Sequence, residues 1–359
     1  MKKLNIAKGI ILSKFFRKPF MIKFYVTRKC NLRCKMCNVW KHTDYREMSL
    51  EQIKISAKKI KELGATHIVI TGGEPLLRND ICNIVNIFSN LGFSTRLQTN
   101  GILLTEKKLD NLIKAGLDDI TISIDTLDNK KQDKICGIKS MNVSDKAIEK
   151  IKMAIKKMPK SMVVANIVVS HKNLNELIEL IKFLDKLGAW PTFCPVSLSE
   201  DNSNYLFKAK ANDFAFTEKD KEKVEKIYAE ILKLKKIGHN ISLSSRYLEQ
   251  SLNFIKNKNK KWKCDAGELY FSIFPQGQFS ICDDIKTEYN ILDNNFLEIY
   301  KSNNFKKYLK SLKYNCEGCI YGVFRETSNL LNSPSVFFDR FYTFIKSKKY
   351  SNLNKSKKL

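Results

Sequence analysis

The chain is predicted to be an α/β protein built on a parallel sheet with helices packed outside it. Two observations carry this. From Ile22 to about Ser197, apolar runs of strand length alternate with longer runs of helical period. Glycine stands where four of the helices should end, at Leu63-Gly64, Leu91-Gly92, Ala115-Gly116 and Leu187-Gly188. Repeated β-α units of this kind demand parallel strands, with the crossover helices covering the sheet.

Taken in order, residues 1–21 are an arm with six basic residues and no acid. Leu4, Ala7, Ile10, Ile11 and Phe15 fall near one helical face, which suits a helix capping the end of the sheet or a helix lying on a membrane surface. Six strands follow, at 22–27, 67–71, 93–98, 119–124, 162–169 and 190–196, with helices at 49–63, 79–90, 105–115, 144–158 and 173–187. Ser49 and Gln52 form a capping-box pair at the first of these helices. A loop is expected over 198–216, placed to cover the ends of the strands, then a charged helix over 217–237. The lysine-rich stretch Lys256 to Lys263 reads as a linker, and Leu269–Phe274 with Gln278–Ile281 as a hairpin forming one small sheet. From Pro334 the tail carries Val336, Phe337, Phe338, Phe341, Tyr342, Phe344 and Ile345, then frequent lysines.

The 359 residues suffice for one large domain and a small one, and a hydrophobic content of 43% suits a packed core. Against 37 Asp and Glu stand 64 Lys and Arg, a net charge of +27. Such a field favours anionic partners. The lysines are spread along the chain and no nucleic-acid-binding module is recognisable, so no nucleic-acid partner is expected. No apolar run is long enough to span a membrane. Ten cysteines, mostly clustered and without a signal peptide, point to a reducing, cytoplasmic setting and metal ligation rather than disulfides. The basic, aromatic chain ends leave peripheral contact with an anionic membrane as an alternative.

The most informative stretch is Cys30-Asn31-Leu32-Arg33-Cys34-Lys35-Met36-Cys37, three thiols spaced C-x3-C-x2-C at the end of the first strand. A closed zinc site takes four ligands. Three cysteines can hold three corners of a [4Fe–4S] cluster and leave one iron for a small molecule. The second strand ends in Gly72-Gly73-Glu74-Pro75.

These two features, in this order, resemble the radical S-adenosylmethionine (radical SAM) enzymes. The resemblance implies a partial (β/α)6 TIM barrel, a [4Fe–4S] cluster on Cys30, Cys34 and Cys37, and S-adenosylmethionine chelating the fourth iron. It places Gly72, Gly73, Glu74 and Pro75 near the SAM amino group, with the glycines permitting close backbone approach. Met36 stands where the family often has an aromatic residue beside the adenine. Thr99, Ser123 and Asn166, at or near the carboxyl ends of the third to fifth strands, are candidate SAM contacts, with hydrogen bonding inside the barrel as the alternative. Cys194 at the end of the sixth strand either faces substrate or is a small buried hydrophobe. Cys82 and Cys136 receive no role.

A second thiol set follows: Cys264, twelve residues, Gly277, four residues, Cys282, and later Cys316-Glu317-Gly318-Cys319. Four cysteines can complete a cubane or a zinc tetrahedron. The pattern resembles the auxiliary-cluster domain called SPASM in its shorter form, Twitch, which implies one further [4Fe–4S] cluster in a small C-terminal α+β domain. The expected organisation is an arm over 1–21, the barrel over 22–240, the auxiliary domain over 241–330 and a tail over 331–359.

The expected function is radical SAM C–H activation: reductive cleavage of SAM to a 5′-deoxyadenosyl radical, hydrogen abstraction, and oxidation or coupling of the substrate radical with the auxiliary cluster as electron acceptor. An external one-electron reductant of flavodoxin or ferredoxin type is implied. A peptide-modifying maturase, a lipid- or glycan-modifying enzyme, an iron–sulfur electron carrier and a zinc-stabilised scaffold are the alternatives. The auxiliary spacing and the chain end, Lys-Ser-Lys-Lys-Leu, differ from the related molybdenum-cofactor enzyme.

Overall fold

The computed structural model describes residues 2–199, 206–257, 262–316 and 318–342. Six strands form the parallel barrel wall: β1 (Met21–Tyr25), β2 (His67–Thr71), β3 (Ser94–Thr99), β4 (Asp119–Ser123), β5 (Val163–Val169) and β6 (Trp190–Pro195). They lie side by side in chain order. α1 (Lys2–Phe16) precedes them, and α2 (Leu50–Leu63), α3 (Ile81–Asn90), α4 (Glu106–Lys114), α6 (Val143–Lys157) and α7 (Leu177–Leu187) are the crossovers; α5 (Asn129–Ile135) is an extra short helix after β4.

The two faces of each strand explain the barrel. Side chains alternate across a strand. Ile68 and Ile70 of β2, Leu97 of β3, Ile120 and Ile122 of β4 and Ala165 and Ile167 of β5 are fully buried. They belong to one core with Ile53, Ala57, Phe88, Leu112, Ile151 and Leu184 from the crossover helices. The alternate residues Gln98, Thr121, Ser123, Asn166 and Thr192 line a central cavity. The capping box is present at α2: Ser49 accepts from the Gln52 N–H and the Gln52 side chain accepts from the Ser49 N–H. Gly64 and Gly188 end α2 and α7 in left-handed backbone, φ +101° and +91°, as the sequence requires.

Two expectations are corrected by the chain's own packing. The hairpin of β7 (Tyr270–Ile273) and β8 (Gln278–Ser280) does not form a sheet of its own. β7 pairs in parallel with β1, and β8 and β9 (Lys286–Asn290) continue the same nine-stranded sheet antiparallel. All four β7 residues are buried, so this strand reads as interior rather than edge. Lys256 lies in α9 (Ser245–Asn257), not in a linker; residues 258–261 fall outside the described ones.

After β6, α8 (Asp220–Ile237) and α9 lead to the second half, which ends in α10 (Phe296–Lys301), α11 (Asn303–Tyr314) and α12 (Gly322–Asn332). α9 and α12 pack beside β6: the Tyr247 hydroxyl donates to the Ile320 carbonyl at 3.0 Å, and a Cβ on Gly322 would stand 3.6 Å from Cys194 Cβ. α1 meets α12, and Arg17, just past α1, donates to Asn332 of α12 at 3.4 Å and pairs with Asp265 at 2.6 Å and Glu268 at 2.9 Å ahead of β7. Part of the loop expected to cover the strand ends, residues 200–205, lies outside the described residues, as do Phe344 and Ile345. No helix among the described residues is long and apolar enough to cross a membrane.

Candidate active site

A cavity of about 670 Å³ runs through the barrel. Cys30, Cys34 and Cys37 line it, as do Gly72, Gly73, Met36, Thr99, Ser123 and Asn166, so the structure brings these sequence-predicted residues together. Glu74 and Pro75 are buried beside it rather than in its lining.

The turn after β2 acts first on the cysteine loop. A Cβ on Gly73 would lie 2.3 Å from the Lys29 carbonyl oxygen and 2.5 Å from that of Arg28; one on Gly72 would lie 2.4 Å from the Thr27 oxygen. Both glycines therefore let the β2 turn seat on the segment entering Cys30. Gly73 N–H donates to Thr27 O and Glu74 N–H to Lys29 O, both at 2.8 Å. The Glu74 carboxylate is fully buried and accepts from Leu76 N–H at 3.0 Å, the Thr99 hydroxyl at 2.7 Å and Asn100 N–H at 2.8 Å. Burial pushes its carboxyl above the usual range, against those bonds. Asn100 in turn donates to the Asn31 side chain at 2.8 Å. Glu74 and Thr99 thus join the ends of β2 and β3 to the loop between Cys30 and Cys34. The Ser123 and Asn166 side chains make no hydrogen bond among the described residues and stand opposite each other in the β4–β5 register. Such half-buried polar groups are open to a ligand.

Nothing in the residue pattern marks α5, because its buried side chains are Gln132, Asp133 and Ile135 and leave no apolar stripe. It anchors the cysteine loop from the far side. Arg33 N–H donates to Cys136 O at 2.9 Å and Lys35 N–H to Ile135 O at 3.1 Å, bracketing Cys34. The Cys34 thiol meets the Cys136 thiol, and this contact with burial pushes it up. Gln132 accepts from Asp125 N–H and Thr126 N–H, and burial raises the Asp125 carboxyl to about 6. Burial likewise holds the Cys30 and Cys194 thiols up at about 11; Cys194 lines the cavity.

Among the described residues no three His, Cys, Asp or Glu side chains converge as ligands of one ion. The thiols show a different preparation. A backbone N–H two residues downstream is aimed at the sulfur of Cys30 (Leu32, 3.4 Å) and Cys316 (Gly318, 3.2 Å). The backbone N–H two residues downstream also favours the thiolate at Cys37 (Val39), Cys264 (Ala266), Cys282 (Asp284) and Cys319 (Tyr321), against burial. N–H···S bonds favour thiolate, the form that binds iron, and tune iron–sulfur clusters. The donor chemistry therefore fits clusters at both sets. Cys264 lies within electrostatic reach of Cys316, and Cys319 of Cys264 and Cys282.

The second set adjoins the same cavity. Asp283 and Tyr321, which follow Cys282 and Cys319, line it with Lys23 and Tyr25 of β1. Asp283 pairs with Lys23 and accepts from the Tyr25 hydroxyl at 2.7 Å and that of Ser272 at 3.0 Å. Asp284 pairs with Lys208 at 2.6 Å and accepts from Tyr321 at 2.9 Å. Sequence reasoning missed these carboxylates; their place directly after Cys282 was the available signal.

The pattern of the radical SAM superfamily matches residues 24–184. A probable GTP 3′,8-cyclase of Methanocaldococcus jannaschii is 33% identical over 218 residues, 60% of this chain and 70% of that protein. The chain belongs to the radical SAM superfamily. A probable GTP 3′,8-cyclase of Pyrococcus abyssi is 31% identical over 62% of this chain and 71% of its own length. Among solved structures, Streptococcus suis SuiB bound to S-adenosylmethionine has a TM-score of 0.64 at 18% identity, covering 88% of this chain and 76% of that one. The structure of anSMEcpe with bound AdoMet scores 0.61 at 17% identity, over 94% of this chain and 97% of that one. These two share the fold. A radical SAM protein takes a [4Fe–4S] cluster and S-adenosylmethionine, and the expected α/β partial barrel is borne out.

Proposed function

We propose that the chain oxidises, or oxidatively couples, a polar substrate bound in the barrel cavity between two iron–sulfur sites. The observation that carries this is the cavity itself: Cys30, Cys34 and Cys37 line one part, and the neighbours of Cys282 and Cys319 line another. Cys30, Cys34 and Cys37 would hold the first cluster; Cys264, Cys282, Cys316 and Cys319 the auxiliary one. When bound, the first cluster and SAM would supply a radical for hydrogen-atom removal, and an auxiliary cluster would supply a one-electron acceptor. Ser123 and Asn166 would orient SAM, with Met36 against the adenine. Asp283, which lines the cavity, would take the proton that a substrate loses with its second electron.

Iron counts test the two-site reading. The reconstituted wild type should carry about eight irons per chain and a Cys264→Ala/Cys282→Ala variant about four. An unchanged count in that variant removes the auxiliary site from the account. Replacing Cys264 alone should spare SAM cleavage and reduce product; full product would refute the acceptor role.

The curated relatives favour a second substrate reading, cyclisation of GTP. Incubation with GTP, SAM and reductant should then give a cyclised nucleotide by chromatography and mass spectrometry, and unaltered GTP counts against it. A lipid-surface reading draws on the exposed rings of Phe337, Phe338, Phe341 and Tyr342; absence of liposome binding at low salt would end it.

A further inference from the structure

A fourth thiol stands at the first set. Cys136, the residue that ends α5, is buried and lines the barrel cavity with Cys30, Cys34 and Cys37. It packs with Leu32 and Val143, and Cys30 and Cys34 lie against the same small cluster. The Cys34 and Cys136 thiols meet each other. Cys34 is also reached from outside the barrel. It lines a shallow depression of about 360 Å³ with Arg33, Lys35, Lys41 and Lys210, all exposed, and one acid, Asp213. A mostly cationic rim draws small anionic reagents.

Three separate features hold the two thiols together. Arg33 N–H donates to Cys136 O at 2.9 Å and Lys35 N–H to Ile135 O at 3.1 Å, so the backbone is paired on both sides of Cys34. Antiparallel segments paired by such bonds stand about 4.5–5.5 Å apart at Cα, inside the span of about 4.4–6.8 Å that a disulfide needs. Gly137 permits the close approach: its φ is +66°, and a Cβ there would lie 2.2 Å from Arg33 O. Gln132 orients the Cys136 side chain. Its Oε1 accepts from Asp125 N–H at 2.9 Å and Thr126 N–H at 3.0 Å, which leaves Nε2 to donate to Cys136 Sγ at 3.3 Å.

We propose that Cys34 and Cys136 form a reversible disulfide in the cluster-free chain, which keeps the first set closed to iron until a thiol reductant reopens it. The proposal rests on the reading of Cys34 as a cluster ligand. The oxidant is a small anionic disulfide of the glutathione class. The Cys34 sulfur attacks it, one glutathione leaves as the thiol, and a mixed disulfide remains on Cys34. The Cys136 sulfur then attacks the Cys34 sulfur, and the second glutathione leaves. Two protein thiols lose two electrons and two protons, and one glutathione disulfide gains them as two thiols. A Cys34 bound to iron cannot take part, so the loaded cluster and the disulfide exclude each other.

The test treats the full, cluster-free chain with oxidised glutathione under anaerobic conditions, blocks the remaining thiols with iodoacetamide and maps the peptides by mass spectrometry. Wild type should give a Cys34–Cys136 cross-linked peptide that dithiothreitol removes. Chain reconstituted beforehand should give roughly tenfold less of it or lower, because its thiolates are committed to iron. Cys136→Ser should instead keep glutathione on Cys34, since nothing displaces it. Iron uptake is the second readout. In a Cys264→Ala/Cys282→Ala background, iron reports on the first set alone. The oxidised chain should take up about four irons only after dithiothreitol, and adding Cys136→Ser should not change uptake by the reduced chain. The proposal is overturned by the absence of the cross-linked peptide, by a Cys30–Cys34 or Cys34–Cys37 link in its place, or by release of glutathione from Cys34 in Cys136→Ser. Loss of iron from reduced Cys136→Ser would also overturn it, by making Cys136 a ligand. The peptide map decides the disulfide whether or not iron binds, whereas failure of the cluster reading shows as a reduced parent chain that takes up no iron.

Discussion

A single methyl group on Gly73 should be costly at the site. An alanine Cβ there would sit 2.3 Å from Lys29 O, 2.5 Å from Arg28 O and 2.8 Å from Lys29 C. These are backbone atoms, so no rotamer change can make room. The turn must move, and with it the bonds from Gly73 to Thr27 and from Glu74 to Lys29. Overpacking costs about 1–3 kcal/mol, and each stretched backbone bond adds about 1 kcal/mol. Gly73→Ala should therefore lose about 3–5 kcal/mol, read from the urea midpoint of the metal-free chain. The displaced segment enters Cys30, so reconstitution should also yield less iron at the first site than in wild type. A variant with an unchanged urea midpoint and full iron content would refute the claim that the turn shapes the cysteine loop.

Other perturbations reach the site by different routes. Glu74→Gln puts an amide against donors from Leu76, Thr99 and Asn100; a loss of about 1–3 kcal/mol in thermal or urea unfolding is expected, and an unperturbed variant would show that the carboxylate is not the tie between β2 and β3. Asp125 has a folded value of about 6, above its unfolded value of about 3.9, because it is buried. The folded state then binds more protons than the unfolded one, so this group's stabilisation is present below about pH 4 and is lost as pH rises to about 6, a change on the order of 3 kcal/mol. Asp125→Asn should flatten the stability profile over that window, and a profile identical to wild type would contradict the assignment. Asn166→Ala should weaken SAM binding measured by equilibrium dialysis of the reconstituted protein while leaving the urea midpoint within about 0.5 kcal/mol; unchanged affinity would take Asn166 out of the SAM site.

Much of the barrel was legible because each strand and helix carries its own period. β2 and β5 are short apolar runs and β4 alternates Ile with polar residues, and Ser49, Gln52, Gly64 and Gly188 mark helix ends by local chemistry. The thiol spacing and the Gly-Gly-Glu-Pro turn located the site for the same reason. What stayed hidden depends on partners distant in sequence. Gly72 and Gly73 were read as making room for a ligand, whereas their immediate contacts are Thr27, Arg28 and Lys29. Thr99 was a candidate SAM contact, yet its hydroxyl is committed to Glu74. β7 looked like half of an isolated hairpin because nothing local reveals its pairing with β1. α5 was invisible because Gln132 and Asp133 are buried by hydrogen bonding rather than by apolar character, and with it went the place of Cys136 beside Cys34.

The central claim is tested most directly by 5′-deoxyadenosine. Reconstituted wild type and a Cys30→Ala/Cys34→Ala/Cys37→Ala variant would be incubated anaerobically with SAM and dithionite, and the product quantified by chromatography. The account predicts 5′-deoxyadenosine from the wild type alone. Equal amounts from both proteins, or none from wild type with its cluster loaded and SAM bound, would contradict it.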